Sequence, residues 1–305
     1  MTVPRVLSRC VASVTVLVGL SAPVSTTTIM IAVLLALPLS AAASPIAIRS
    51  GSGPDALSIQ GIVDLFRTDV SAGGVNNGNT VGSLPNGRRE VNWDGGGAAA
   101  NATIFPSPMN TFNAGATTRG LVSTTAGTQF EISGQPSPEF GDINPTYPAI
   151  FQTFSPPRLF SPLGSNLMDA LFFVPGTNTP ASVFGFGAVF TDVDLANTSS
   201  LEFFNLDNVS LGTFSVLPFN NGLSFLGVTF TDAIGRVRIT TGNTPLGPND
   251  GGAIDVVALD DFIYSEPQAA VPEPASLTLL ATGVVTILAR ARRRRMPTYR
   301  RAIDR

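Results

Sequence analysis

Arg236-Val237-Arg238-Ile239-Thr240 puts charge and hydroxyl on one side of an extended chain and two β-branched aliphatic side chains on the other. A strict period of two is the signature of a strand with one face in water and one in a core. Working outward, short runs rich in Val, Ile, Phe and Thr occupy residues 171–174, 183–190, 200–204, 210–217, 223–230 and 255–264. Gly, Asn, Asp and Pro separate them at roughly the 8–12-residue spacing of sandwiches. The pattern predicts a mainly β body, an antiparallel β-sandwich or jelly-roll-like domain.

The N-terminal part of that body is richer in loops. Ile59, Ile62, Val63 and Phe66 fall at helical spacing, and Asp55 or Ser58 can cap the helix they predict. Residues 72–79 read as a Gly/Asn loop, and residues 87–95 combine the only tryptophan with a dense set of charges. Seven prolines recur across residues 135–162, which excludes regular elements other than short strands. Apolar residues such as Ile143, Tyr147, Phe151 and Phe160 are interleaved with them, so a packed stretch is expected there, not a linker.

Composition narrows the chemistry. The chain has no histidine, no lysine and a single cysteine, Cys10, near the N-terminus. Ser-His-Asp and Cys-His catalysis, Schiff-base chemistry and conventional zinc sites are therefore excluded from the body, as are its disulfides. The net charge of −3 hides an asymmetry: residues 44–271 hold eight arginines against nineteen carboxylates, whereas residues 290–305 hold eight arginines and one aspartate. An acidic body disfavours nucleic acid as a partner.

What remains for chemistry is carboxylate, guanidinium, hydroxyl and aromatic. Asp192 and Asp194 flank Val193 directly after one predicted strand and Asp260-Asp261 follow another, with Asp207, Asp250 and Asp255 nearby in sequence. Clustered carboxylates at strand ends suit a hard cation, and a structural calcium is expected at Asp192, Asp194, Asp260 and Asp261. The alternative is that Asp favours turns through its own backbone hydrogen bonds. Trp93 and Tyr147 offer sugar-stacking surfaces, and Arg88, Arg89 and Asp94 beside Trp93 offer hydrogen bonds to a saccharide. The competing reading makes Trp93 a core anchor and pairs Arg88 or Arg89 with Glu90 or Asp94. A two-carboxylate glycoside hydrolase could draw on Glu131, Glu139, Glu202, Asp192 and Asp94, although no spacing pairs them.

The ends read as targeting segments. Residues 1–43 carry Arg5 and Arg9, two apolar runs and an Ala41-Ala42-Ala43 cleavage site, an export signal with an uncleaved anchor as the alternative. Near the other end, Val271-Pro272-Glu273-Pro274 precedes fifteen uncharged residues, 275–289, and then Arg290, Arg292, Arg293, Arg294 and Arg295. A helix of that length spans about 22 Å against a hydrocarbon core of about 30 Å, a short transmembrane helix with snorkelling arginines on the cytoplasmic side. This three-part segment resembles the PEP-CTERM sorting domain of Gram-negative bacteria that make exopolysaccharide. The resemblance implies recognition of Pro272-Glu273-Pro274 by an exosortase, removal of the tail, and release or attachment at the surface. The basic extension at residues 296–305 departs from the family, which usually ends sooner. The stretches GRREVNWDG (87–95), NPTYPAIFQTF (144–154), FGFGAVFTDVD (184–194) and DVVALDDFIYSEP (255–267) are similar to a recurrent ectodomain of such proteins, which implies fold and location only.

The chain is thus expected to comprise an export signal (1–43), a β-sandwich ectodomain (44–270), a sorting signal with a membrane helix (271–295) and a basic cytoplasmic tail (296–305). The expected function is that of a non-enzymatic surface or exopolysaccharide-matrix protein. Its expected partners are an exosortase, the membrane and exopolysaccharide. A secreted carboxylate-dependent glycoside hydrolase is the alternative.

Overall fold

The computed structural model describes residues 44–270. The expected export signal, the motif at Val271–Pro274, the membrane helix, the arginine cluster and the basic tail lie outside the described residues. No helix among the described residues is long and apolar enough to cross a membrane.

The strands are β1 (Pro45–Gly53), β2 (Arg88–Val91), β3 (Thr103–Pro106), β4 (Asn113–Ala114), β5 (Thr117–Thr118), β6 (Leu121–Thr125), β7 (Gln129–Ile132) and β8 (Phe160–Leu163). They continue with β9 (Leu167–Phe172), β10 (Ala181–Val193), β11 (Ser200–Asn205), β12 (Ser210–Ser215), β13 (Phe219–Thr240), β14 (Ala258–Ser265) and β15 (Gln268–Ala269). The α-helices are α1 (Ala56–Ser71) and α2 (Tyr147–Ile150).

The body is mainly β and antiparallel, as the periodicity predicts. In place of two separate sheets, thirteen strands join in one curled sheet, and β4 and β5 form a small hairpin beside it. The difference lies in β13. Residues 223–230 and 236–240 read as two strands, with Asp232 and Gly235 as the break between them. They form one 22-residue strand instead. Its first half pairs with β1 and β10, and its second half with β9 and β11. Ile234 faces both Val183 of β10 and Asn205 of β11, so the chain passes from one half of the sheet to the other without leaving the ladder. The exposed Thr231, Asp232 and Ala233 mark the changeover.

The two halves of β13 read differently because they meet different surroundings. Val237 and Ile239 are buried while Arg236, Arg238 and Thr240 are part-exposed, the half-solvated strand that alternation predicts. Residues 222–230 are buried throughout, because both faces of that half are covered. On one face Leu226, Val228 and Phe230 enter the main core with Phe186, Phe203 and Tyr264. On the other, Leu223 and Phe225 meet Ile59, Val63, Phe66 and Val70 of α1.

Helix α1 starts where the sequence predicts. The Asp55 carboxylate accepts from the Ser58 backbone N–H at 2.9 Å, which satisfies one of the orphan donors of the first turn. The proline-rich segment is packed, as expected. Phe140, Tyr147, Phe151 and Leu159 bury themselves against Val256 and Ala258.

Candidate functional site

A cavity of about 500 Å³ opens beside the β2 end of the sheet, a volume within the range of small-ligand sites. Trp93 and Asp94, from the loop after β2, line it with Phe105 of β3. Phe112 and Arg119, which flank the β4–β5 hairpin, and Arg158, ahead of β8, complete the wall. The cavity therefore unites Trp93 and Asp94 of the residues expected to hold a saccharide.

Trp93 does not offer a ring face there. It is 2% exposed, stacked on Phe160 at a centroid distance of 3.8 Å, and met edge-on by Phe112 and Phe262. Its indole N–H donates to the Asp260 carbonyl at 2.8 Å. The ring fixes the wall, and the half-buried Phe105 is the more open aromatic surface. Tyr147 is likewise fully buried and donates its hydroxyl to the Gly247 carbonyl at 2.7 Å.

Arg158 is nearly buried and holds the loops of the wall together. Its guanidinium donates to the carbonyls of Ser133 (2.6 Å), Gly95 (2.7 Å) and Asn101 (2.9 Å). Its backbone N–H donates to Asp94 Oδ1 at 3.1 Å. Burial raises the Asp94 carboxyl and lowers the Arg158 guanidinium from their ordinary values. Arg119 donates to the Glu90 carbonyl at 2.6 Å and to Asn79 Oδ1 at 2.9 Å. Sequence reasoning missed Phe105, Arg119 and Arg158, because they lie in separate stretches and none sits in a motif.

The other two expected saccharide residues lie elsewhere. Arg88 pairs with Glu90 at 2.5 Å and donates to Ser71 Oγ at 3.1 Å. Arg89 is fully buried and grips Glu266 with two bonds, Nε–Oε2 at 2.6 Å and Nη2–Oε1 at 2.5 Å. It also donates to the carbonyls of Gly78 and Thr80 at 2.8 Å, of Thr118 at 3.1 Å and of Gly82 at 3.2 Å. Neither residue lines the cavity.

The expected calcium set divides in two. Asp260 and Asp261 are buried in β14, where they pin the proline-rich loop to the sheet. Asp260 accepts from the backbone N–H groups of Phe154 (2.6 Å) and Ser155 (3.2 Å). Asp261 accepts from Ser155 Oγ at 2.5 Å and lies 3.5 Å from Arg67. Burial raises both carboxyls, Asp261 to about 6. These two residues serve protein donors, which corrects their expected place beside Asp192 and Asp194.

Asp192 and Asp194 are joined instead by Asp250, with one oxygen of each within 4.8 Å of the others. Asp192 is 2% exposed, and burial, ahead of the neighbouring carboxylates, pushes it up to about 7. Oδ1 of Asp194 and Oδ1 of Asp250 are buried with no hydrogen-bond partner, which leaves acceptor capacity unspent among like charges. Asp255, beside them, is fully engaged, accepting from the N–H groups of Asp194 (3.0 Å) and Leu195 (3.4 Å) and from the Thr198 hydroxyl. An all-oxygen donor set of this kind fits calcium better than a softer metal.

A smaller cavity, about 290 Å³, lies over β6 and β9, but its charged residues Asp169 and Arg238 already pair at 2.9 Å.

At the C-terminal end β15 pairs with the start of β10, and the Ala270 N–H donates to the Pro180 carbonyl at 3.1 Å. The body is thus tied to its sheet at the residue where the sorting segment begins. No curated protein and no solved structure matches the chain. The family model described as the PEP-CTERM protein-sorting motif matches residues 270–295. The chain therefore carries a PEP-CTERM protein-sorting motif, which implies processing by an exosortase and export to the cell envelope or surface.

Proposed function

We propose that this is a surface or exopolysaccharide-matrix protein whose body binds polysaccharide, without catalysis, at the cavity between Trp93, Phe105 and Arg119. The single observation that carries this reading is a ligand-sized cavity with aromatic and guanidinium walls on a chain that bears the sorting motif. Aromatic surface with a few fixed polar groups is the usual chemistry of a saccharide site. Hydrolysis would need two carboxylates about 5–10 Å apart across the site. Among the described residues, Asp94 is the one acidic side chain in the cavity wall, which favours binding over hydrolysis.

The apolar segment at residues 275–289 and the basic tail are read as temporary. Mass spectrometry of the mature protein from an exosortase-bearing host is expected to find residues 275–305 removed. Replacing Pro272, Glu273 and Pro274 together by alanine is expected to leave the tail in place. An intact tail on the unaltered protein overturns the processing part of the proposal.

We further propose structural calcium at Asp192, Asp194 and Asp250. The support is the convergence of three carboxylates with two unpartnered oxygens. A cation that binds only the folded state stabilises it by mass action, about 2.7 kcal/mol at a hundredfold excess over Kd. Millimolar calcium is expected to raise the melting temperature by about 5 °C, given a few degrees per kcal/mol at this size. In Asp250→Asn the rise is expected to vanish. An unaltered protein that melts at the same temperature with calcium and with chelator would end this reading.

A further inference from the structure

Eight arginines lie within the described residues, in a body with nineteen carboxylates. Six of the eight are ion-paired: Arg49 with Asp69, Arg67 with Asp64, Glu90 and Asp261, Arg88 with Glu90, Arg89 with Glu266, and Arg236 and Arg238 with Asp169. Among the described residues, the two that form no ion pair are Arg119 and Arg158, and both line the 500 Å³ cavity. They are fixed in place by neutral acceptors, carbonyls and the Asn79 amide. Hydrogen bonds to such groups orient a guanidinium without cancelling its charge. In an acidic protein with carboxylates to spare, two guanidinium groups share one wall with a single carboxylate, Asp94, which leaves the wall with an excess of positive charge.

From this we infer that the saccharide taken by the cavity is acidic, with a uronate-type carboxylate facing Arg119. The inference rests on the polysaccharide reading above and adds the charge of the sugar. Arg119 is the group that meets the ligand, because it is part-exposed and its Nη2 makes no hydrogen bond among the described residues, whereas Arg158 is 5% exposed and spent on carbonyls. With Nε and Nη1 engaged, Nη2 is left to donate a charge-assisted hydrogen bond to a carboxylate, and a guanidinium is weakly hydrated enough to do so at a half-buried wall. Phe105, half-buried on β3, supplies apolar surface for the pyranose face.

The test is calorimetric titration of the full-length chain in detergent micelles with hexagalacturonate, its methyl ester and cellohexaose. Hexagalacturonate is expected to bind at least tenfold more tightly than its ester, and raised salt is expected to narrow the gap. Arg119→Gln is expected to bring the acid down to the affinity of the ester, and Arg119→Lys to retain part of the difference, with both variants melting near the parent temperature. Equal binding of acid and ester by the unaltered protein overturns the charge inference and leaves the polysaccharide reading standing. Failure of all three oligosaccharides to bind overturns both.

Discussion

Arg89→Met is expected to lower stability by about 3–5 kcal/mol, the loss typical when one partner of a buried ion pair is removed. Arg89 and Glu266 are 0% and 2% exposed, so methionine would strand a carboxylate in the interior. The loss extends beyond the pair. Arg89 is the donor for four backbone carbonyls, those of Gly78, Thr80, Gly82 and Thr118, and each buried acceptor left without a donor adds its own desolvation cost. Urea unfolding followed by tryptophan fluorescence measures the change, because Trp93 sits in the adjoining core. The double substitution Arg89→Met with Glu266→Leu is expected to recover only part of the loss. It removes the stranded charge but leaves the four carbonyls, together with the Asn77 and Leu84 donors that Glu266 now accepts from. A loss below about 1 kcal/mol in the single variant would show that water reaches the pair and that the burial argument fails.

The second large effect is steric. Gly187 of β10 and Gly227 of β13 face each other in the ladder, on the side where α1 packs. A Cβ on Gly227 would stand 2.6 Å from Cδ2 of Phe66, and one on Gly187 2.8 Å from its Cε1. The two glycines form the depression in which Phe66 lies. Gly227→Ala therefore forces the helix to lift, with a cost of about 1–3 kcal/mol for overpacking, and Gly227→Val is expected to cost at least about 3 kcal/mol. Phe66→Leu in the same chain is expected to relieve part of this, so that the double variant is more stable than the two separate losses predict. Denaturant midpoints for the four proteins give the coupling. Strict additivity would mean that Phe66 and Gly227 do not share the space.

The glycines at 187 and 227 interrupt apolar runs, and nothing local in the sequence says what fills the space they leave. Their reason is Phe66, well over a hundred residues away along the chain. The same separation explains the cavity. Trp93 and Asp94 sit together in a charged stretch of sequence, and both line it. Phe105, Arg119 and Arg158 share its wall only because β3, the β4–β5 hairpin and the segment before β8 close on the loop after β2. Arg88 and Arg89 lie in the same short stretch as Trp93 yet serve Glu90 and Glu266.

By itself the sequence determined whatever depends on near neighbours. Period-two alternation marked the half-solvated strand at 236–240, helical spacing and Asp55 marked α1, and the contiguous Val271–Pro274, apolar and arginine segments marked the sorting motif. Each is a short-range pattern, readable because backbone geometry repeats every two or 3.6 residues and because a sorting enzyme reads a linear peptide. Only the tertiary structure decided that two predicted strands are one 22-residue strand, and that Asp250 rather than Asp260 and Asp261 joins Asp192 and Asp194. It alone separated the six paired arginines from the two that face the cavity. Pairing between distant segments is set by which faces must be buried together, and residue spacing carries no record of that.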